Sequence, residues 1–284
     1  LHIALARHPT AAMGSANTVM VRTEKPSYVG GEEVRGNIFL QIAEPVASTG
    51  VFLKMKGMER TRWQVQRSRT VQTTGPDGNP QSRTENYTET FNGLHTFFKA
   101  KVPVYPFPGT VMPGSYDFPF AFVLPPGLPG VFHEDTRTHS AHVFYKLKAE
   151  VHVAGLFKSN IKHTQQLTIH EGLFSDVRPI SREATSKVTQ CCCIDKGHAT
   201  LRATFDKNAY VPGETARVVC EVDNQSSLAL TAVRSKLKRR LQLHDNSGRR
   251  HEMVDTLAVG AYEGVPPFTS CMGEAARFVP LLLA

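Results

Sequence analysis

Three adjacent cysteines, Cys191, Cys192 and Cys193, with His198 close behind, are the densest group of reactive side chains in the chain. Thiolates and imidazole are zinc ligands, but structural zinc sites space their cysteines two to four residues apart so that each can turn toward the ion. Neighbouring cysteines cannot all reach bridge geometry within one strand or loop, so the triplet is not a disulfide framework either. No metal site is therefore expected, and two other readings remain. The thiols are small side chains in a linker or strand, or they are S-acylated, a lipid chain beside a basic surface giving the second signal that stable membrane residence requires. A second group is cationic. Lys54, Lys56, Arg60, Arg62, Arg67 and Arg69 share their stretch with Glu59 alone, and Arg234, Lys236, Lys238, Arg239, Arg240, Arg249 and Arg250 share theirs with Asp245 alone. With a net charge of +8 and a pI near 9.3, the chain suits acidic partners. Catalytic signatures are missing: there is no phosphate-cradling Gly-Lys-Ser/Thr loop, no Gly-x-Ser-x-Gly elbow and no His-Glu-x-x-His helix, and the twelve histidines are scattered.

The elements that must position these residues are marked by a repeat. Tyr28-Val29-Gly30-Gly31-Glu32 returns as Tyr210-Val211-Pro212-Gly213-Glu214, and at that fixed offset 11 of the 33 positions from Glu24 to Lys56 are identical in Asp206 to Lys238. A duplicated structural unit follows. Pro212 and Gly213 suit the two central positions of a type II turn, and Gly31 holds the same place in the first copy. After each turn the side chains alternate. Val34, Ile38, Leu40 and Ile42 take one face against Arg35, Asn37, Phe39 and Gln41; Ala216, Val218, Cys220 and Val222 take one face against Arg217, Glu221 and Asp223. That is the period of half-buried strands.

Further strands are expected at 19–22, at 51–58, from Thr90 to Val104, from His142 to Val153 and around Leu167-Thr168-Ile169. Trp63 reads as a core anchor, and residues 73–85, with Gly75-Pro76-Asp77-Gly78-Asn79-Pro80 inside, read as a loop at a mobile hairpin tip. Tyr116, Phe118, Phe120, Phe122 and Leu124 fall on one face and read as sandwich core, while Pro119 removes a donor and predicts a sheet edge. The chain divides into an extended or disordered segment at 1–18, a first sandwich at 19–172, a linker with the cysteine triplet at 173–196, and a second sandwich at 197–284. No sustained 3.6-residue period occurs, so helices should be few. No apolar run is long enough to span a bilayer, and 1–20 lacks the apolar core of a signal peptide. An odd count of five cysteines fits a reducing compartment, and the sequons at Asn86 and Asn224 are then chance matches.

Glu24-Lys25 and Asp206-Lys207, each followed by Tyr-x-Gly/Pro-Gly-Glu and an alternating strand, resemble the openings of the two arrestin domains. The series Gly57-Met58-Glu59 with Trp63, Gly114-x-Tyr116-x-Phe118-Pro119-Phe120, Leu124-Pro125, Leu128-Pro129 and Val143-x-Tyr145-x-Leu147-x-Ala149 is similar to the amino-terminal domain of the alpha-arrestins, as is the cysteine cluster before the second unit. The resemblance runs from Val19 to Arg277. It implies an all-β chain of two tandem immunoglobulin-like sandwiches, arrestin N and C, of about seven strands each. It departs from the family in two places: the second domain stops short of its further strands, so it is expected to be incomplete, and Pro125-Pro126 and Pro266-Pro267 lack the tyrosine of a ligase-recruiting Pro-Pro-x-Tyr motif.

What the resemblance implies for function is a non-catalytic cytosolic adaptor or scaffold that needs no cofactor. It would bind membrane receptor or transporter cargo and direct it through endocytic or endosomal trafficking, with a ubiquitin ligase or endosomal coat proteins as further partners, at the plasma membrane or endosomes. A retromer-like cargo-binding coat subunit is the alternative. Arg35, Lys54, Lys56, Lys236 and Lys238 are the residues nominated for contact with acidic lipid or phosphorylated tails. Aromatic residues do not interleave with the charges, so nucleic acid is not an expected partner. An extracellular adhesion sandwich would need a signal peptide and inter-sheet disulfides. A hydrolase on a sandwich would need His, Asp or Ser clustered at loop ends.

Overall fold

The computed structural model describes residues 17–74, 76–155, 159–172, 176–191, 194–211 and 213–282. The strands, in chain order, are β1 (Thr18–Thr23), β2 (Ser27–Val29), β3 (Glu33–Ile42), β4 (Val46–Thr74), β5 (Pro80–Pro106), β6 (Thr110–Val111), β7 (Gly114–Val123), β8 (Phe132–Asp135), β9 (His139–Val153) and β10 (Ile161–His170), then β11 (Ile180–Gln190), β12 (Ile194–Phe205), β13 (Thr215–Ser226), β14 (Leu230–His244), β15 (Arg250–Val265), β16 (Thr269–Cys271) and β17 (Arg277–Leu282). Among the described residues the only helical element is a single 3-10 turn, Gly273–Ala275. The protein is all-β. Two compact units divide the chain, Leu1–Gly172 with Leu243–Arg250, and Leu173–Gln242 with His251–Ala284.

The first unit is a sandwich of a three-stranded sheet, β1-β3-β7, and a seven-stranded sheet ordered β2-β10-β9-β4-β5, with β6 on β4 and β8 on β9. Their inner faces are the alternate apolar positions: Val34, Ile38, Leu40 and Ile42 from β3, Val51, Leu53 and Met55 from β4, and Tyr145, Leu147, Ala149 and Val151 from β9 share one core. Phe118 and Phe120 close it from β7, with Tyr116 and Phe122 packed against it, so the aromatic row is core. β7 is the edge of its sheet, with Pro119 opposite Asn37, as a strand carrying proline should be. Trp63 is buried and stacks on Phe91 at 5.1 Å.

The second unit carries a five-stranded sheet, β11-β12-β13-β16 with β17 also on β13, and the ribbon β14-β15. Ala216, Val218 and Cys220 of β13 form its core with Val279 of β17. Both turns have the expected conformation, with Gly31 at φ 90° and Gly213 at φ 86°. In each, the glutamate N–H closes the turn on the valine carbonyl, Glu32 on Val29 and Glu214 on Val211, both at 3.1 Å. Pro212 lies outside the described residues.

Three stretches differ from the sequence expectation. Residues 73–85 are strand rather than loop for most of their length: after irregularities at Val51/Phe52 and Gly57/Met58, β4 and β5 pair in one register from Met58↔Thr96 to Thr74↔Pro80. Within 173–196, expected to be an irregular linker, β11 pairs along β12 from Ile180↔Phe205 to Gln190↔Ile194. Both stretches are exposed on nearly every side chain, so neither has an alternation to read. Of the segment 1–18, residues 1–16 lie outside the described residues, and Thr18 already belongs to β1.

Candidate functional site

The outward face of the seven-stranded sheet gathers lysines. Along β4 the inward residues Leu53 and Met55 alternate with Lys54 and Lys56, and along β9 Leu147 and Ala149 alternate with Lys146 and Lys148. β4 lies between β9 and β5, and the register does the rest. Lys54 is directly opposite Lys101 on one side and Lys148 on the other; Lys56 is directly opposite Lys99 and Lys146. Two rows of three lysines result, about 10 Å across three strands and about 7 Å from row to row. Together with Met58, Ala100 and Thr164 they line a groove of about 530 Å³.

Like charges placed opposite one another weaken a sheet. Here the apolar inner face holds the strands together, and the cost is relieved in one of the two rows, at its middle lysine and one of its ends. Glu150, buried beside the groove, forms an ion pair with Lys54, lies 3.8 Å from Lys148 and accepts a 2.9 Å hydrogen bond from Asn160. Burial by itself would raise its carboxyl, but Lys54, Asn160 and Lys148 outweigh burial and hold it down to about 2. Lys101 sits over the Phe52 ring at 4.3 Å and Lys146 over Phe144 at 5.3 Å. The row Lys99, Lys56 and Lys146 has no acid among the residues lining the groove. An anion entering there meets three ammonium groups at close quarters, with the field least relieved.

The sequence-nominated residues are only partly united. Lys54 and Lys56 are in the array, whereas Arg35 projects from β3 on the other sheet of the sandwich, where Glu33 pairs with it at 2.6 Å. That pairing raises its guanidinium pKa further. Lys236 and Lys238 lie exposed on β14 of the second unit, at the positions the repeat makes equivalent to Lys54 and Lys56. Lys99, Lys101, Lys146 and Lys148 were not nominated. Their alternation was readable, but not the strand order that sets them beside β4. Cys191 is exposed at φ 50° where the β11–β12 hairpin turns; Cys192 and Cys193 lie outside the described residues. The sequon residue Asn224 is fully buried, its amide reaching the carbonyls of Leu228, Val265 and Pro266 at 2.9, 3.2 and 2.8 Å.

A histidine cluster does occur at a loop end. His139 is 2.8 Å from Glu134 and 2.9 Å from the Thr136 hydroxyl. That hydroxyl also donates to the His139 carbonyl and accepts from the N–H groups of Thr138 and His139, so it closes the turn rather than standing ready as a nucleophile.

The strands form two tandem all-β units, each opening on the same glycine turn, and comparison with known families places this architecture. The model for the arrestin (or S-antigen) N-terminal domain matches residues 18–173, and that for the arrestin (or S-antigen) C-terminal domain matches 195–279. The chain belongs to the arrestin family. It is 36% identical over 214 residues to arrestin domain-containing protein A of Dictyostelium discoideum, covering 74% of this chain and 35% of that protein. It is 25% identical over 218 residues to arrestin domain-containing protein 17 of Caenorhabditis elegans, covering 75% and 49%, and 29% identical over 163 residues to arrestin domain-containing protein 5 of Homo sapiens, covering 55% and 46%. The chain thus spans between a third and a half of the length of these curated relatives.

Proposed function

We propose that this chain is a non-catalytic adaptor that binds acidic or phosphorylated segments of membrane-protein cargo and directs that cargo in endocytic or endosomal trafficking. The observation that carries the reading is the pair of lysine rows. Their spacing of about 7 Å is that of alternate residues in an extended chain, so a peptide strand can present an acidic side chain to each row. β5 is an edge of the sheet and carries Lys99 and Lys101. Addition of a cargo strand to that edge would place its acidic residues beside the array. Peripheral contact with an anionic membrane from the cytoplasmic side, acylation of Cys191, Cys192 and Cys193, and recruitment of a ubiquitin ligase or endosomal coat belong to the same proposal.

The test is titration of the purified chain with an acidic extended peptide, plain and phosphorylated, and separately with anionic vesicles. Lys56→Glu, Lys99→Glu and Lys146→Glu together should weaken peptide binding by about tenfold or more at low salt, and added salt should weaken the wild-type interaction. Arg35→Glu, on the other sheet, should leave it unchanged. Loss confined to the vesicle arm would reassign the array to lipid; unchanged binding in both arms would end the proposal.

A further inference from the structure

We propose that His133, Asp135 and His142 form a binding site for a divalent transition metal, with zinc the ion that fits the donor set. β8 is four residues long, and its alternation puts His133 and Asp135 on one side and Glu134 on the other. Its register against β9 sets His133 directly opposite His142 and Asp135 opposite Ser140. Three metal-ligating side chains thereby share one face of a tight hairpin. His142 points the same way as Lys146 and Lys148, outward from the sheet, while Tyr145 and Leu147 point in.

The side chains converge as this placement requires. Nε2 of His133 lies 3.1 Å from one oxygen of Asp135, and Nε2 of His142 lies 3.0 Å from the other. The two rings stack with centroids 4.3 Å apart and planes 13° from parallel. One donor atom from each residue lies within 4.8 Å of the others. Around a tetrahedral ion bound at about 2.1 Å neighbouring donors lie about 3.4 Å apart, so capture draws the widest pair together by at most about 1.4 Å. His133, whose side chain is 71% exposed, can supply that movement. The hairpin behind it is held: Thr136 ties the turn, and His139 meets Glu134 on the other side of β8.

Two imidazoles and one carboxylate make a borderline nitrogen–oxygen set that suits zinc and its transition-metal neighbours, whereas calcium and magnesium take oxygen ligands. The ion would take the place of the close approach of each Nε2 to Asp135. Each ring then carries its proton on Nδ1 and offers Nε2, and a fourth, outward position is left for water. Arg60, opposite His142 on β4, is turned to the Phe144 ring at 5.5 Å, which leaves the outward side open.

The experiment is calorimetric titration of the full chain with zinc, in a Cys191→Ser, Cys192→Ser, Cys193→Ser background so that the thiols do not compete. One zinc per chain is expected, undisturbed by excess magnesium or calcium. His133→Ala and Asp135→Asn should each weaken binding by about tenfold or more, and His133→Ala with His142→Ala should abolish it. Zinc should raise the unfolding midpoint of the parent chain and not that of the double variant, with circular dichroism showing that both are folded. His170→Ala should bind as the parent does. No zinc uptake by the parent, or the same uptake by the double variant, would overturn the site.

Discussion

At the opening of the first unit Lys25 lies over the ring of Tyr28, 5.8 Å from its centroid, and pairs with Glu32 at 3.5 Å. At the opening of the second, Lys207 lies over Tyr210 at 5.7 Å and pairs with Glu214 at 3.1 Å. In both, the tyrosine hydroxyl accepts the lysine's backbone N–H, at 3.1 and 3.2 Å, and the glutamate carboxylate accepts the N–H of the valine that starts the turn, at 2.8 and 3.1 Å. What differs is the setting. Tyr28 is 2% exposed and belongs to a core built from two sheets, and its hydroxyl donates to the Arg35 carbonyl at 3.4 Å. Tyr210 is half-buried beside a smaller core, and its hydroxyl donates to Asp206 at 2.6 Å. The local network survives the change in packing, so it is specified by the turn residues themselves; burial of the ring is specified by the sandwich.

That separation can be broken by truncation. Tyr28→Ala empties a fully packed aromatic site and should destabilise the first unit by about 4 kcal/mol. Tyr210→Ala, removing a ring that water already reaches, should destabilise the second by about half as much, most of it from the part of the ring packed against the core. Denaturant unfolding followed by amide exchange in each unit separates the two losses. Equal losses would mean that the clasp, not the burial, carries the energy.

The glycines sharpen the comparison from the other side. A methyl added at Gly31 or Gly213 meets nothing within 4 Å, so alanine there costs only the left-handed backbone conformation. Gly31→Ala and Gly213→Ala should each destabilise by about 1 kcal/mol, and by nearly the same amount. An effect several times larger in one unit would show that its turn is additionally constrained by packing, and the same exchange measurement reads it.

Much of this was legible because one face of a strand was buried. Val34, Ile38, Leu40 and Ile42 announce β3, the row from Tyr116 to Leu124 announces β7, and Pro119 marks the edge. β11 and the outer half of the β4–β5 hairpin were not legible: water surrounds both faces, pairing is by backbone and by ion pairs such as Arg67–Glu89 and Arg69–Glu85, and no pattern is left in the side chains. The lysine array failed for a different reason. Each row joins residues far apart in sequence, and only strand order and register make them neighbours. Asn224 shows a third limit. The repeat places it where the first unit has Ile42, 1% exposed in the core, yet the second unit fills the same kind of position with an amide bonded to three carbonyls. Alternation reports that a position is buried, not which chemistry satisfies it.

The smallest expected effect concerns protons. Glu32 is held below the usual carboxylate range by the Val29 N–H and by Lys25, and Glu214 by the Val211 N–H and by Lys207. The second unit adds Asp206, lowered first by the Tyr210 hydroxyl and then by the Arg217 N–H. A carboxylate whose pKa is lowered on folding contributes stability that is present above its unfolded value, 4.5 for Glu and 3.8 for Asp, and is lost as pH falls through the folded value. Acid should therefore loosen both turns, and the second should take up one more proton in doing so. Carboxyl carbon shifts followed by NMR titration resolve the three groups. Tyr210→Phe should move Asp206 up toward its ordinary value while leaving Glu32 where it is. If Asp206 does not move, the tyrosine hydroxyl is not what holds it down, and the difference between the two turns would have to come from the Arg217 backbone instead.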